Sequence, residues 1–161
     1  MLHIAGTCDA LLPLDPAGRA RAVEWAFAAL NTVEPPIMDH AVATLFEADQ
    51  PWSRPRLPAI EARIYERLGE LAARLGGADW LDGDFTAGDL LMVAVLRILS
   101  DTALLGPYPN LQAYVARGEA RPAFRQALAD HLAGFTGAPP AGFAEWESEL
   151  EAGPALQGEL Q

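Results

Sequence analysis

The sequence predicts an all-α protein, a multi-helix bundle, and three observations carry that prediction. Nearly every patterned stretch repeats its apolar residues at spacings of three and four, and none alternates as a half-buried strand would. The run Leu90 to Leu96 is apolar on every side, the pattern of a helix enclosed by other helices. Helix-start signals, a capping side chain or a proline at the first helical position, stand ahead of several of these stretches.

Asp15-Pro16 opens the first long helix, with Asp15 as cap and Pro16 where a missing N–H costs nothing. Val23, Phe27, Leu30 and Val33 then mark one apolar face, and Trp25, Ala29 and Thr32 a second stripe, so both sides are expected to be covered. Pro35-Pro36 should bend or break this helix, because proline removes a helical hydrogen bond and crowds the preceding turn. The pattern resumes at Ile37, Ala41 and Leu45 and fades over residues 49–58. A second long helix keeps Ile60, Ile64, Leu68, Leu71 and Leu75 on one face. Arg63 with Glu66, Arg67 with Glu70, and Glu70 with Arg74 are helix-spaced pairs on its outside, and Gly76-Gly77 ends it.

In the segment Phe85-Thr86-Ala87-Gly88-Asp89-Leu90, Thr86 and Asp89 have the spacing of a capping box, and Phe85 and Leu90 that of a hydrophobic staple. The enclosed helix follows, through Ile98. Loss of the Thr86 or Asp89 side chain is expected to cost ~1–2 kcal/mol of stability. Pro107-Tyr108-Pro109 begins a helix through Leu111, Tyr114 and Val115, and Arg121-Pro122 another with Phe124, Leu128 and Leu132 on one side. From Gly134 onward the sequence turns acidic and rich in Gly and Pro, although Phe143, Trp146 and Leu150 still keep a helical spacing that suits folding back on the body. The expected organisation is residues 1–14 as a leading segment and linker, 15–134 as the helical domain, and 135–161 as an acidic tail.

Composition excludes several functions. All 11 basic residues are arginines, against 22 acidic residues, for a net charge of −11. Without lysine there is no phosphate-loop lysine and no Schiff-base anchor. A chain this acidic lacks the dense basic face that nucleic-acid binding needs. The seven-residue apolar run is far short of the roughly 20 residues of a membrane span, and the single cysteine gives no internal disulfide. A cytoplasmic protein without membrane or nucleic-acid partners is expected.

The residues form no self-sufficient catalytic or metal constellation. His3, His40 and His131 are scattered, Asp39-His40 is at most a possible base pair, and Cys8 has an aspartate beside it rather than a cation. Asp89 is explained by capping in preference to catalysis. Phe27, Asn31, Pro35 and Met38, beside the proline bend, are candidates to line a small-molecule pocket, with ordinary interior packing as the competing reading.

Leu12-Pro13-Leu14-Asp15-Pro16 and the helix through Trp25, the stretch from Leu30 to Pro36, Phe85-Thr86-Ala87-Gly88-Asp89, Tyr108-Pro109-Asn110-Leu111 and Arg121-Pro122-Ala123-Phe124 together resemble, in order, the C-terminal all-helical domain of glutathione S-transferases. The resemblance covers about residues 2–134. Leu2-His3-Ile4-Ala5 is similar to the end of the thioredoxin-like domain that precedes the bundle in that family, so the sequence starts where that domain would be closing. It implies conjugation of glutathione to electrophiles, with the glutathione-activating residue on the thioredoxin-like portion. This chain is then expected to carry no catalytic residue and no cofactor, to be inactive alone, and to use glutathione as co-substrate once that portion is supplied. The resemblance further implies an electrophile pocket wall at Phe27, Asn31, Pro35 and Met38. It also implies a homodimer surface on the first two long helices, around Trp25 and Ala29, or a thioredoxin-like partner. The competing readings are a non-catalytic interaction or dimerisation module and a binder of hydrophobic small molecules.

Overall fold

The computed structural model describes residues 2–5 and 11–137. These contain helices and turns and no strand. The chain falls into two units, residues 1–125 and 126–161.

In the first unit, α1 is the four-residue turn Leu2–Ala5 and α2 runs Pro16–Ala28. Asp15 accepts the Gly18 amide at 2.7 Å, capping α2 as the Asp-Pro signal implies. Pro35-Pro36 does not break the helix. The chain stays helical to Phe46 by means of two π-helical turns, Ala29–Val33 and Val42–Phe46, on either side of α3, Glu34–Ala41. In the first, the Glu34 amide reaches back five residues to the Ala29 carbonyl. The wider turn accommodates two residues that have no N–H to offer. The Asn31 side-chain amide donates to the Phe27 carbonyl at 3.2 Å.

Helix α4 spans Ser53–Leu75 and so begins well before its clear periodicity, with Pro58 inside it. Its start is fastened by the buried Ser53 hydroxyl, which donates to the Ala43 carbonyl at 2.6 Å. Its end is set by Gly76, whose φ of +55° suits glycine. The Asn110 side chain donates to the carbonyls of Ala72 and Gly76 at 2.9 and 3.1 Å, satisfying groups that the helix end leaves open.

Helix α5, Ala87–Leu96, packs against α2, the first π turn and α6, Pro109–Ala120. The approach to α2 is close because small residues meet there. A Cβ added to Gly88 would lie 2.5 Å from the Trp25 Cβ and 3.1 Å from the Ala22 carbonyl oxygen. The buried face of α2 and its continuation is therefore Ala22, Ala26, Ala29, Val33 and Ile37. Phe27 and Leu30, expected on the core face, are exposed at 59% and 41%. On the far side of α5, a Cβ on Gly118 of α6 would meet Val93 at 2.7 Å.

Met92, Val93, Val95 and Leu96 make α5 the centre of the core with Ile64, Leu68 and Tyr114 around it. It is not enclosed on all sides, however. Leu90, Ala94 and Ile98 are exposed, and Ile98 lies in the 3₁₀ turn Arg97–Leu99 that follows the helix. A smaller cluster joins Ala5, Leu12, Ala22 and Ala87, with the Ala87 amide donating to the Leu11 carbonyl at 2.8 Å.

Helix α7, Pro122–Ala133, forms where Arg121-Pro122 predicts it and contributes no buried residue. Phe124 lies under the Arg97 guanidinium, 4.8 Å from its ring centre. In the second unit His131 meets Phe135 edge to face. Cys8, Phe143, Trp146 and Leu150 lie outside the described residues. No helix among the described residues is long and apolar enough to cross a membrane.

Candidate functional site

The start of α5 is the most tightly bonded polar place in the described residues. Thr86 accepts the Gly88 amide at 3.2 Å and Asp89 accepts the Thr86 amide at 2.9 Å, so both halves of the capping box are present. Asp89 is fully buried and accepts three more hydrogen bonds, from the Leu81 amide at 2.9 Å, the Tyr114 hydroxyl at 2.9 Å and the Thr86 hydroxyl at 3.1 Å. The carboxylate thus ties α5 to the preceding loop and to α6. Burial, followed by the Asp89 charge and hydrogen bond, pushes the Tyr114 hydroxyl far above its usual range, so it stays a donor. With both oxygens of Asp89 doubly engaged, this constellation holds structure and leaves no lone pair aimed at a substrate.

The staple takes a different form from the one the sequence suggests. Leu90 is 37% exposed, and the contacts that fix Phe85 are an edge-to-face meeting with Trp80 at 4.8 Å and the Arg121 guanidinium 3.6 Å over its ring. The attraction of a cation for the ring face secures the loop before α5 to the start of α7.

Two surface recesses lie along α4, where it faces α2, the first π turn and α3. One, of about 270 Å³, has Trp25, Ala28, Val33, Leu71 and Met92 as its apolar lining and Glu24, Thr32, Arg67 and Glu70 at its polar edge. The other, of about 220 Å³, is lined by Asn31, Thr32, Pro35, Pro36, Arg63 and Arg67. Thr32 and Arg67 line both; the first recess is mainly apolar and the second mainly polar. Of the four pocket residues expected from sequence, the structure brings Asn31 and Pro35 together here. Phe27 and Met38, 59% and 41% exposed, line neither recess.

In the sequence the arginines stand out only as members of helix-spaced pairs; of the three expected pairs Arg67 with Glu70 forms, and the other two arginines take different partners. Arg63 pairs with Asp39 of α3 at 3.1 Å rather than with Glu66. Arg67 pairs with Glu70 at 2.8 Å and with Glu66 at 3.6 Å, which raises its pKa and keeps it charged. Arg74 leaves Glu70 for Asp82 at 4.0 Å and lies 5.5 Å from the Trp25 ring. Asp39 of α3 and Asp82 of the loop after α4 take these arginines from their same-helix partners, and sequence spacing does not encode that.

No Asp39–His40 couple forms: Asp39 is held by Arg63, while His40 faces Glu61 at 3.8 Å. No group of three metal-ligating side chains occurs among the described residues. The lining of the two recesses contains no His or Cys, and its carboxylates are Glu24 and Glu70.

No protein-family profile matches the chain, and no curated protein does. Among solved structures, a glutathione transferase from Burkholderia graminis, crystallised with two glutathione molecules bound per subunit, matches with a TM-score of 0.69 at 27% identity. The match covers 79% of this chain and 56% of that enzyme, so the chain spans little more than half the length of this relative. The chain thus has the all-helical fold of a glutathione transferase C-terminal-type domain.

Proposed function

We propose that the chain is the helical portion of a glutathione transferase-like protein, working with a thioredoxin-like portion that binds and activates glutathione. The observation that carries this reading is the fold match over most of the chain to an enzyme solved with bound glutathione. The face of α5 supports it. Leu90 and Ala94 of α5 and Ile98 of the 3₁₀ turn after it succeed one another at four-residue intervals and are all exposed. An exposed apolar stripe beside the core is suited to a partner, and in this reading the partner is the thioredoxin-like portion. In that arrangement the thiolate of glutathione, formed on the partner, attacks an electrophile held against this bundle. The exposed residues Phe27 and Met38, with Asn31 and Pro35, remain the proposed wall facing the electrophile. Association of two copies along α2 and α4 belongs to the same reading.

The test is complementation. The chain is co-expressed with the thioredoxin-like portion of a glutathione transferase. The mixture and each component are then assayed for retention on immobilised glutathione and for conjugation of a chromogenic aryl halide, with light scattering to count copies. Retention and turnover by the mixture alone support the proposal. A chain that stays separate from the thioredoxin-like portion, and adds nothing to its activity, overturns it in favour of a non-catalytic binding module.

A further inference from the structure

We propose that α7 carries a docking stripe for the chain's own C-terminal segment. Residues 143–151 fold against Leu128, Leu132 and Phe135 as the second arm of a helical hairpin, with residues 136–142 as its turn. The occupant is this segment of the same chain, not a second copy and not a foreign protein. The inference goes beyond the glutathione transferase reading and does not depend on it, because it concerns only α7 and the residues that follow it.

Helix α7 buries none of its 12 residues, although Leu128, Leu132 and Phe135 follow one another at four and three and so share one face. Leu128 is half-buried, while Leu132 and Phe135 are 57% and 70% exposed. A helix this short is marginal in water unless its apolar face is covered. Phe135 stays on the helical course because its amide donates to the Leu132 carbonyl at 3.0 Å. The His131 ring meets it edge to face at 5.2 Å and holds it at the end of the stripe. The polar groups of α7 have partners of their own, the Gln126 amide donating to Asp130 at 2.8 Å. What is left without a partner is the apolar stripe, and all three of its residues belong to the unit formed by residues 126–161.

The sequence beyond the stripe supplies the matching face. Pro139-Pro140, between Gly137 and Gly142, cannot continue α7 and suits a reversal of direction. A connection of this length is ordinary between packed helices. Counted away from the turn, α7 spaces its apolar residues three then four, as Phe135, Leu132 and Leu128, and the segment does the same with Phe143, Trp146 and Leu150. An antiparallel arm therefore sets Phe143 level with Phe135, Trp146 with Leu132 and Leu150 with Leu128. Glu145 and Glu149, and Glu147 and Glu151, are like-charge pairs at helical spacing with no basic residue after Arg125 to offset them, so the arm needs the docked face in order to form. Tethering also selects this occupant. A short linker presents the segment at an effective concentration on the order of millimolar, whereas a second copy brings a net charge of −11 against another −11.

Hydrogen exchange of the intact chain, read by mass spectrometry on peptides covering residues 126–161, tests this. The amides of residues 147–151 are expected to exchange about tenfold or more slowly than in a free peptide of the same sequence. The paired change Leu128→Gln, Leu132→Gln should bring them within about twofold of the free peptide. Should that variant unravel α7 itself, the reciprocal one decides: Phe143→Ser with Trp146→Ser leaves α7 intact in sequence and should speed exchange at the amides of residues 128–133 about tenfold. Exchange of residues 147–151 at the free-peptide rate in the unaltered chain overturns the proposal, as does protection that survives the α7 variant. Protection lost on Ile98→Gln but kept in the α7 variant would place the arm on the α5 face and overturn it. Protection that rises with protein concentration, together with a dimer seen by light scattering, would give the stripe to a second copy and also overturn it.

Discussion

Replacing Asp89 by alanine removes the acceptor for four hydrogen bonds at once: the amides of Leu81 and Thr86 and the hydroxyls of Thr86 and Tyr114. The two hydroxyls can rotate toward other acceptors, but the two amides are fixed by the backbone and lie in a buried site. Leaving a buried donor without a partner costs roughly 1–3 kcal/mol, so the two amides alone bring the loss to about 2–6 kcal/mol. The cavity left by the carboxylate adds to this. A value near 4 kcal/mol is expected, more than the ~1–2 kcal/mol of an ordinary cap. Asp89→Asn should lose less, about 1–2 kcal/mol, because one oxygen still accepts while the new NH₂ faces a donor. Tyr114→Phe should cost about 1 kcal/mol, and the double change with Asp89→Ala should cost less than the sum, since both delete the same bond. Urea unfolding followed by helical circular dichroism measures all four. A loss below 1 kcal/mol for Asp89→Ala would refute the view that this carboxylate, rather than apolar burial alone, fixes α5 to α6 and the preceding loop.

Three further outcomes follow from the same coordinates. Gly88→Ala and Gly118→Ala should each destabilise by about 1–3 kcal/mol, by forcing α5 away from α2 and from α6, and a Tm series would show it. The raised pKa of Tyr114 makes stability fall with alkali: the unfolded chain releases this proton near pH ~10 while the folded chain keeps it, so stability is complete below that pH and declines by about 1.4 kcal/mol per unit above it. Tyr114→Phe should flatten this decline in unfolding experiments between pH 9 and 11, the range that brackets the reference value. Finally, Leu90→Gln and Ile98→Gln, at positions 37% and 41% exposed, should change stability by less than about 1 kcal/mol yet abolish association with a thioredoxin-like portion, as measured by co-purification.

Sequence alone resolved the features whose information is local. A capping box is written within four residues, so Thr86 and Asp89 were identified with their roles, and Gly76 likewise as the end of α4. The four bonds of Asp89 were not legible, because Leu81 and Tyr114 come from elements whose docking depends on the whole bundle. The face of α2 shows the same limit more sharply. Judged by hydrophobicity, Phe27 and Leu30 belong inside and Ala22 and Ala26 are neutral; in the structure the alanines are buried and the large side chains exposed. The reason is the distance between helices. Gly88 brings the backbone of α5 against Ala22 and Trp25, and only small residues fit between axes that close. That approach leaves the larger apolar side chains displaced to the flank, so the residues best suited to meet a ligand or a partner are the ones a periodicity argument assigns to the core. The second recess follows the same logic. Pro35-Pro36 was readable as a disturbance, but not that it would be absorbed by a π turn that keeps α3 alongside α4, with Asn31 and Thr32 opposite Arg63 and Arg67. A helix interrupted at those prolines would have had no reason to hold the two sides of the recess in register, and the recess exists because the disturbance was spread over a turn instead of ending the helix.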